Sequence, residues 1–155
     1  MTRKTISKKR LPIADIKYKS YLVSLLIQRV LKSGKKTLAK NLIYKTFDII
    51  NNKTNEDPLI VFETAIKNGC PSVEVKTKRI GGSTYRVPTE INSFRSINLA
   101  LRWIITNSRK RAGRGLCTKL ANEIIDTARN SSLTTKKREE THKNVESNKA
   151  FSHYQ

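Results

Sequence analysis

The sequence predicts a mainly α, single-domain fold of six helices with one protruding β-hairpin. Three observations carry that reading. Apolar residues recur every three or four positions through five separate segments. The period changes to two in only one place, on either side of a Gly-Gly pair. And the chain has 155 residues, the length of one ordinary domain. Leu, Ile, Val and Phe sum to 40 residues, about a quarter of the chain and above the roughly 20% below which a highly charged chain stays disordered.

The first helix is expected to follow Ser20 as N-cap, with Leu22, Leu25, Leu26, Val30 and Leu31 on or near one face. Gly34, suited to a left-handed cap, is expected to stop it. The second runs from Lys36 to about Asn51, with Ala39, Ile43, Phe47 and Ile50 inward, and residues 51–55 read as a polar loop. The third has an explicit start: Asp57 as N-cap and Pro58 in the first turn, where a missing N–H costs nothing. Leu59, Phe62 and Ile66 face inward and Gly69 ends it.

Residues 73–78 alternate with period two, as do 85–87, flanking Ile80-Gly81-Gly82. The expected hairpin spans 72–90, with a left-handed glycine in its loop. A three-residue loop, Ile80 to Gly82, pairs Val75 with Val87 and Thr77 with Tyr85. It gathers Lys76 and Arg86, with Lys78 nearby, on one basic face. A two-residue turn mixes the faces, so the three-residue loop is the expected register. Opposed like charges are unfavourable alone, and a polyanion over the basic face would offset that.

The fourth helix is expected from Ser93 to Ser108, striped by Ile97, Ala100, Leu101, Ile104 and Ile105, with Trp103 at the stripe's edge. A basic loop follows, 109–115. The fifth covers 116–130, with Leu116, Leu120, Ile124, Ile125 and Ala128 inward. Thr134 or Thr135 caps a sixth, from Lys136 to about Asn148, with almost no apolar stripe and a Glu139–Lys143 pair at helical spacing. A helix polar all round projects into solvent or lies along a partner. The chain thus divides into a basic N-terminal extension (1–19), a helical core carrying the hairpin (20–134), and a polar C-terminal helix and tail (135–155).

Charge points to the partner. Lys+Arg number 32 against 12 Asp+Glu, a net +20, and a surface so charged repels itself unless a polyanion neutralises it. Residues 1–20 hold seven bases and one acid, 96–115 hold five bases and no acid, and 58–70 and 116–135 are neutral. No apolar run approaches the roughly 20 residues a bilayer needs, and MTRKTISKKR has no apolar signal core. Cys70 and Cys117 are isolated from each other and from His142 and His153, which points to free thiols and leaves no metal set. No cofactor, membrane contact or homo-oligomer is expected.

The block from Val73 to Pro88, VEVKTKRIGGSTYRVP, resembles the central hairpin of small-subunit ribosomal protein seven, in its bacterial and organellar type. Similar blocks flank it in the family's order: Gly34-Lys35-Lys36, Ala100 to Trp103, Arg109-Lys110-Arg111, Leu120 to Glu123, 137–142 and 148–154. The resemblance spans nearly the whole chain. It implies a six-helix domain with a hairpin that binds small-subunit ribosomal RNA in the 3′ major (head) domain and helps nucleate its assembly. It places the hairpin near exit-site transfer RNA and messenger RNA, with neighbouring head proteins and platform protein eleven as partners. The expected RNA contacts are Lys8, Lys9 and Arg10 in the tail; Gly34, Lys35 and Lys36; Lys76, Lys78, Arg79, Gly81, Gly82 and Arg86 in the hairpin; Arg95 and Arg102; Arg109, Lys110, Arg111 and Arg114; and Lys136, Lys137 and Arg138. The chain departs from the family at 91–96, where many bacterial members carry more arginine.

A basic helical DNA-binding protein is the alternative. Such proteins concentrate charge on one recognition helix and dimerise, whereas here it is dispersed. An RNA-modifying enzyme would need a base, nucleophile or metal constellation, and His142, flanked by Glu139 and Glu146 at helical spacing, is better read in a solvated capping or pairing role. The Asn, Ile and Lys bias is that of an AT-rich genome. The plastid stroma is the expected compartment, for an organelle-encoded or mature chain, with bacterial cytoplasm or mitochondrion as alternatives.

Overall fold

A computed structural model describes residues 12–154, with side chains to Ser152. Six helices and two strands occur in the order α1 (Tyr21–Val30), α2 (Lys36–Thr54), α3 (Pro58–Gly69), β1 (Val73–Ile80), β2 (Ser83–Glu90), α4 (Ser93–Lys110), α5 (Leu116–Ala128) and α6 (Leu133–Ser147), before a terminal 3₁₀ helix, Lys149–Tyr154.

Helix α5 is the hub. It packs against α2, α3, α4 and α6, and it buries Leu120, Ala121, Ile124 and Ile125 together with the polar Glu123 and Thr127. Around it close Phe47 and Ile43 of α2, Phe62 and Ala65 of α3, and Leu101 and Ile104 of α4. The Phe47 and Phe62 rings meet at 5.5 Å and Tyr18 closes on Phe47 at 4.9 Å, edge-on. Each fully buried Phe, Leu or Ile among them contributes about 1.5–3 kcal/mol by leaving water.

The local signals set most helix ends. Asp57 accepts a hydrogen bond from the Leu59 N–H at 2.9 Å, with Pro58 in the first turn, as expected. Asn92 caps α4 through the Phe94 N–H. Other ends differ. Helix α1 stops at Val30, not Gly34: Leu31 leaves in an extended conformation, and Ser33 and Gly34, both with positive φ, turn the chain into α2. The predicted loop 51–55 is the last turn of α2, closed by Asn55 in the left-handed region. Helix α6 begins at Leu133 because Ser132, not Thr134 or Thr135, is its cap, accepting from the Thr135 N–H. The ion pair on that helix is Lys137–Glu140 at 2.7 Å rather than Glu139–Lys143.

The hairpin register also differs. Lys76 stands opposite Val87, Lys78 opposite Tyr85 and Ile80 opposite Ser83, so the turn is the two residues Gly81-Gly82. Val75 and Val87 therefore lie on opposite faces. Two causes act together. Gly81 (φ +56°) and Gly82 (φ +89°) both adopt the positive φ of a type I′ turn, whose twist matches the strands. And every hairpin cation now faces an uncharged residue: Lys76–Val87, Thr77–Arg86, Lys78–Tyr85, Arg79–Thr84. The expected register would have set Lys76 against Arg86, an unfavourable cross-strand pair. A single apolar face is unnecessary, because the base is covered on both sides: the consecutive residues Val87 and Pro88 are both buried. Helix α6 packs on β1 and the 3₁₀ helix on β2, where Phe151 meets Tyr85 at 5.6 Å.

Gly82→Val should raise the energy of the turn by about 1–2 kcal/mol, the cost of forcing an L-residue into the left-handed region. Because the hairpin protrudes, the loss should be local. Hydrogen exchange should accelerate for amides in residues 76–80 while those of α5 keep their protection.

Candidate nucleic-acid interface

No Asp or Glu occurs between Asp15 and Asp48, nor between Glu90 and Glu123. The first of these stretches contains α1 and most of α2; the second contains α4 and the start of α5. The fold packs α1 on α4, so the two acid-free stretches meet. At their junction lies a groove of about 640 Å³ lined by Arg29, Lys32, Lys35 and Arg109, with Leu31, Leu38, Leu42 and Leu116 between them. Beside it a smaller hollow is lined by Arg29, Arg95, Asn98 and Arg102. Arg29 belongs to both. Its Nη2 donates to Asn98 Oδ1 at 2.6 Å, and Asn98 Nδ2 donates to the Phe94 carbonyl at 2.6 Å, which holds the guanidinium in place. Among the described residues, none of Arg29, Lys32, Lys35, Arg102 or Arg109 forms an ion pair with a carboxylate. Cations lining one groove repel one another unless counter-charge reaches them, so the groove carries positive charge that no lining acid neutralises.

Of the contacts expected from sequence, Lys35 and Arg109 line this groove, and Arg95 and Arg102 line the adjacent hollow. Gly34 turns the chain into Lys35 with φ +72°. Lys36 lines a separate hollow with Pro12, Gln28 and Lys40. Lys110, Arg114 and Lys136 are exposed. In the hairpin the cations divide: Lys76 and Lys78 on one face, Arg79 and Arg86 on the other, with Gly81 and Gly82 at the tip. Arg86 borders a cleft shared with Asn144, Ser147 and Asn148 of the C-terminal region. Lys8, Lys9 and Arg10 lie outside the described residues.

Several bases are engaged by the protein itself. Arg95 Nε reaches both oxygens of Glu74 at 2.9 and 3.0 Å, and Lys76 Nζ lies 3.5 Å from the same carboxylate. This ties the start of α4 to the base of the hairpin. Both cations are more than half exposed, so each pair contributes at most about 1 kcal/mol. Arg138 donates to the Asn68 carbonyl at 2.6 Å, and Lys137 pairs with Glu140. Arg111 turns inward. Its Nε meets the fully buried Glu123 and its Nη2 lies 2.6 Å from Asp126. Burial works against its charge, but the hydrogen bonds to Asp126 and Glu123 outweigh that and leave its pKa above the ordinary value. The other Glu123 oxygen accepts from Thr134 Oγ1 at 2.7 Å, and Thr134 accepts from Asn107 Nδ2 at 3.1 Å. One carboxylate thus joins α5, the interhelix loop, the start of α6 and, through Asn107, α4.

Sequence reasoning passed over Arg29 and Lys32. The missing signal is the unbroken absence of acids from 16 to 47, which a charge tally over 21–57 dilutes with Asp48, Glu56 and Asp57. Among the described residues no three of His, Cys, Asp and Glu come together to hold a metal, and no helix is long and apolar enough to cross a membrane. His142 Nε2 accepts from the Ser72 N–H at 3.2 Å, a structural tie between α6 and the hairpin base. Cys70 and Cys117 are free thiols, and burial pushes the Cys70 thiol up.

Residues 2–149 match the sequence profile of the family described as ribosomal protein S7p/S5e. The small ribosomal subunit protein uS7c of Trieres chinensis is 64% identical over 143 residues, spanning 92% of this chain and 90% of its own. The uS7 proteins of Thermosynechococcus vestitus and Acaryochloris marina are 51% and 52% identical, each over 154 residues and 99% of both chains.

Glu123→Ala should cost about 3 kcal/mol, the low end for breaking a buried ion pair, because Arg111 keeps a quarter of its side chain in solvent. In a double-mutant cycle of denaturant melts, Arg111→Ala with Glu123→Ala should cost clearly less than the sum of the two single changes.

Proposed function

The chain belongs to the S7p/S5e family of ribosomal proteins, and from that membership we propose that the groove between α1, α2, α4 and α5 is its principal contact with small-subunit ribosomal RNA. The protein is a structural component of the small ribosomal subunit, not an enzyme, and of the plastid type, with a plastid relative at 64% identity and cyanobacterial ones near 50%. The observation that carries the assignment of the groove is the convergence of Arg29, Lys32, Lys35 and Arg109 with no acid among the lining residues. Phosphates seated on these cations would release condensed counterions. Recognition of folded RNA proceeds by shape and backbone contacts, since side chains cannot read the deep A-form major groove.

The finer reading follows the resemblance. The RNA bound is the 3′ major (head) domain, whose assembly the protein helps nucleate. The hairpin, cationic on both faces and narrow at its Gly81-Gly82 tip, reaches toward exit-site transfer RNA and messenger RNA. Neighbouring head proteins and platform protein eleven adjoin it. The remaining exposed bases, Lys110, Arg114 and Lys136 among them, add phosphate contacts, and the basic tail with Lys8, Lys9 and Arg10 extends them. The plastid ribosome is the proposed setting.

A salt series with a head-domain RNA fragment tests this. Arg29→Ala and Arg109→Ala should each weaken binding and reduce the slope of log K against log salt by about one. Duplex DNA of equal length should bind far more weakly. Equal affinity for both would favour the DNA-binding alternative, and unchanged slopes in both variants would remove the groove from the interface.

A further inference from the structure

The groove is built for more than phosphates. Resting on the reading of the groove as an RNA contact, we infer that it holds one unpaired nucleotide, with its base on an apolar floor and its phosphates on the cationic rim. A site that only tracked a duplex backbone would need cations on a convex or flat polar face. Here the cations surround a concavity, and its floor is greasy. Leu42 and Leu116 are half-buried, whereas Leu38, on the first turn of α2, is 62% exposed, one of the few large apolar side chains so open to water. Its place among lining cations argues against a protein occupant, whose apolar anchor would have to bring carboxylates with it. A flipped base brings an apolar face and an anionic backbone in one ligand.

The dimensions and the arginines agree. About 640 Å³ lies within the roughly 300–1,000 Å³ range of sites that enclose small organic ligands. Unstacked RNA bases are held on aromatic rings or on planar arginine guanidinium groups. No aromatic residue lines the groove, but two arginines do, Arg29 and Arg109. Arg29, at the boundary of the groove and the adjacent hollow, is oriented by Asn98 of that hollow at 2.6 Å. An arginine serving only as a point charge needs no such fixing, whereas a planar shelf for a base does. The guanidinium edges keep N–H groups for a phosphate while the faces support the base, and Lys32 and Lys35, on the αα connection, meet the flanking phosphates beside them.

The test uses the full chain bound to the head-domain RNA fragment, probed with reagents that modify unpaired Watson–Crick edges. Wild type should protect at least one base that reacts in free RNA. Leu38→Ala, whose melting should be unchanged because the side chain is exposed, should restore that base's reactivity. Affinity should fall about fivefold, as expected for losing roughly 1 kcal/mol of apolar contact, with the salt slope unchanged. If Leu38→Ala leaves every protection in place while Arg29→Ala and Arg109→Ala still lower the salt slope, the groove reads backbone only and the inference fails while the function stands. If neither arginine change alters binding, the groove is not an RNA contact at all. A Leu38→Cys thiol, followed on its peptide by mass spectrometry, should be shielded in the RNA complex. Shielding only in whole small subunits would assign the groove to a neighbouring protein and overturn the inference.

Discussion

Carboxylates are scarce in this chain, and the structure depends on where they are placed. Several act as fasteners. Glu123 sits at the centre of α5 with no exposure and binds Arg111 and Thr134. It therefore fixes the interhelix loop and the start of α6 to the hub helix. Glu74 ties α4 to the hairpin through Arg95. Asp15 accepts from the Tyr44 hydroxyl at 2.8 Å and from the Lys17 and Tyr18 amides, which anchors the segment before α1. Asp57 caps α3. With these acids committed to the fold, α1, α4 and the first turns of α2 have no carboxylate of their own.

That division links packing to function. A protein stabilised by surface ion pairs would neutralise itself and have little left for a polyanion. Here Asp15 and Glu123 are buried, and the exposed acids of the helices, Asp48, Glu63, Glu139 and Glu140 among them, lie on α2, α3 and α6 beyond the acid-free stretches, so the bases at the groove face outward without a carboxylate partner. Their mutual repulsion is a standing cost in the free protein, offset once RNA phosphates arrive. The segments that meet at the groove, α1, α4, the first turns of α2 and the start of α5, share that absence of acids. Their juxtaposition is set by the apolar seams that pack α1 and α2 on one side and α4 and α5 on the other.

Local chemistry was legible in the sequence wherever one residue decides the outcome. Asp57-Pro58 marked a helix start, the apolar spacing in α2 and α4 marked the core, and the Gly-Gly pair marked the turn. The hairpin register does not follow from period-two alternation, because that pattern implies one buried face. The structure buries Val87 and Pro88 on both, and the turn glycines together with the avoidance of a Lys76–Arg86 pair set the alignment. Arg111 looked like any other base in its run. Its inward turn depends on Glu123 and Asp126, more than ten positions away, and on their own burial in α5. The groove was hidden for the same reason: Arg29 and Arg109 are distant in sequence, and only the packing of α1 on α4 brings them to one site.

Lysine acetylation footprinting of the free protein against its complex with head-domain ribosomal RNA tests the central claim most directly, namely that the acid-free face is the RNA face. Lys32 and Lys35, on the groove rim, should lose reactivity in the complex. Lys53, bonded to Asn122 Oδ1 at 2.7 Å, and Lys67 on α3 should react as they do in the free protein. Protection of Lys53 and Lys67 with Lys32 and Lys35 left reactive would contradict it.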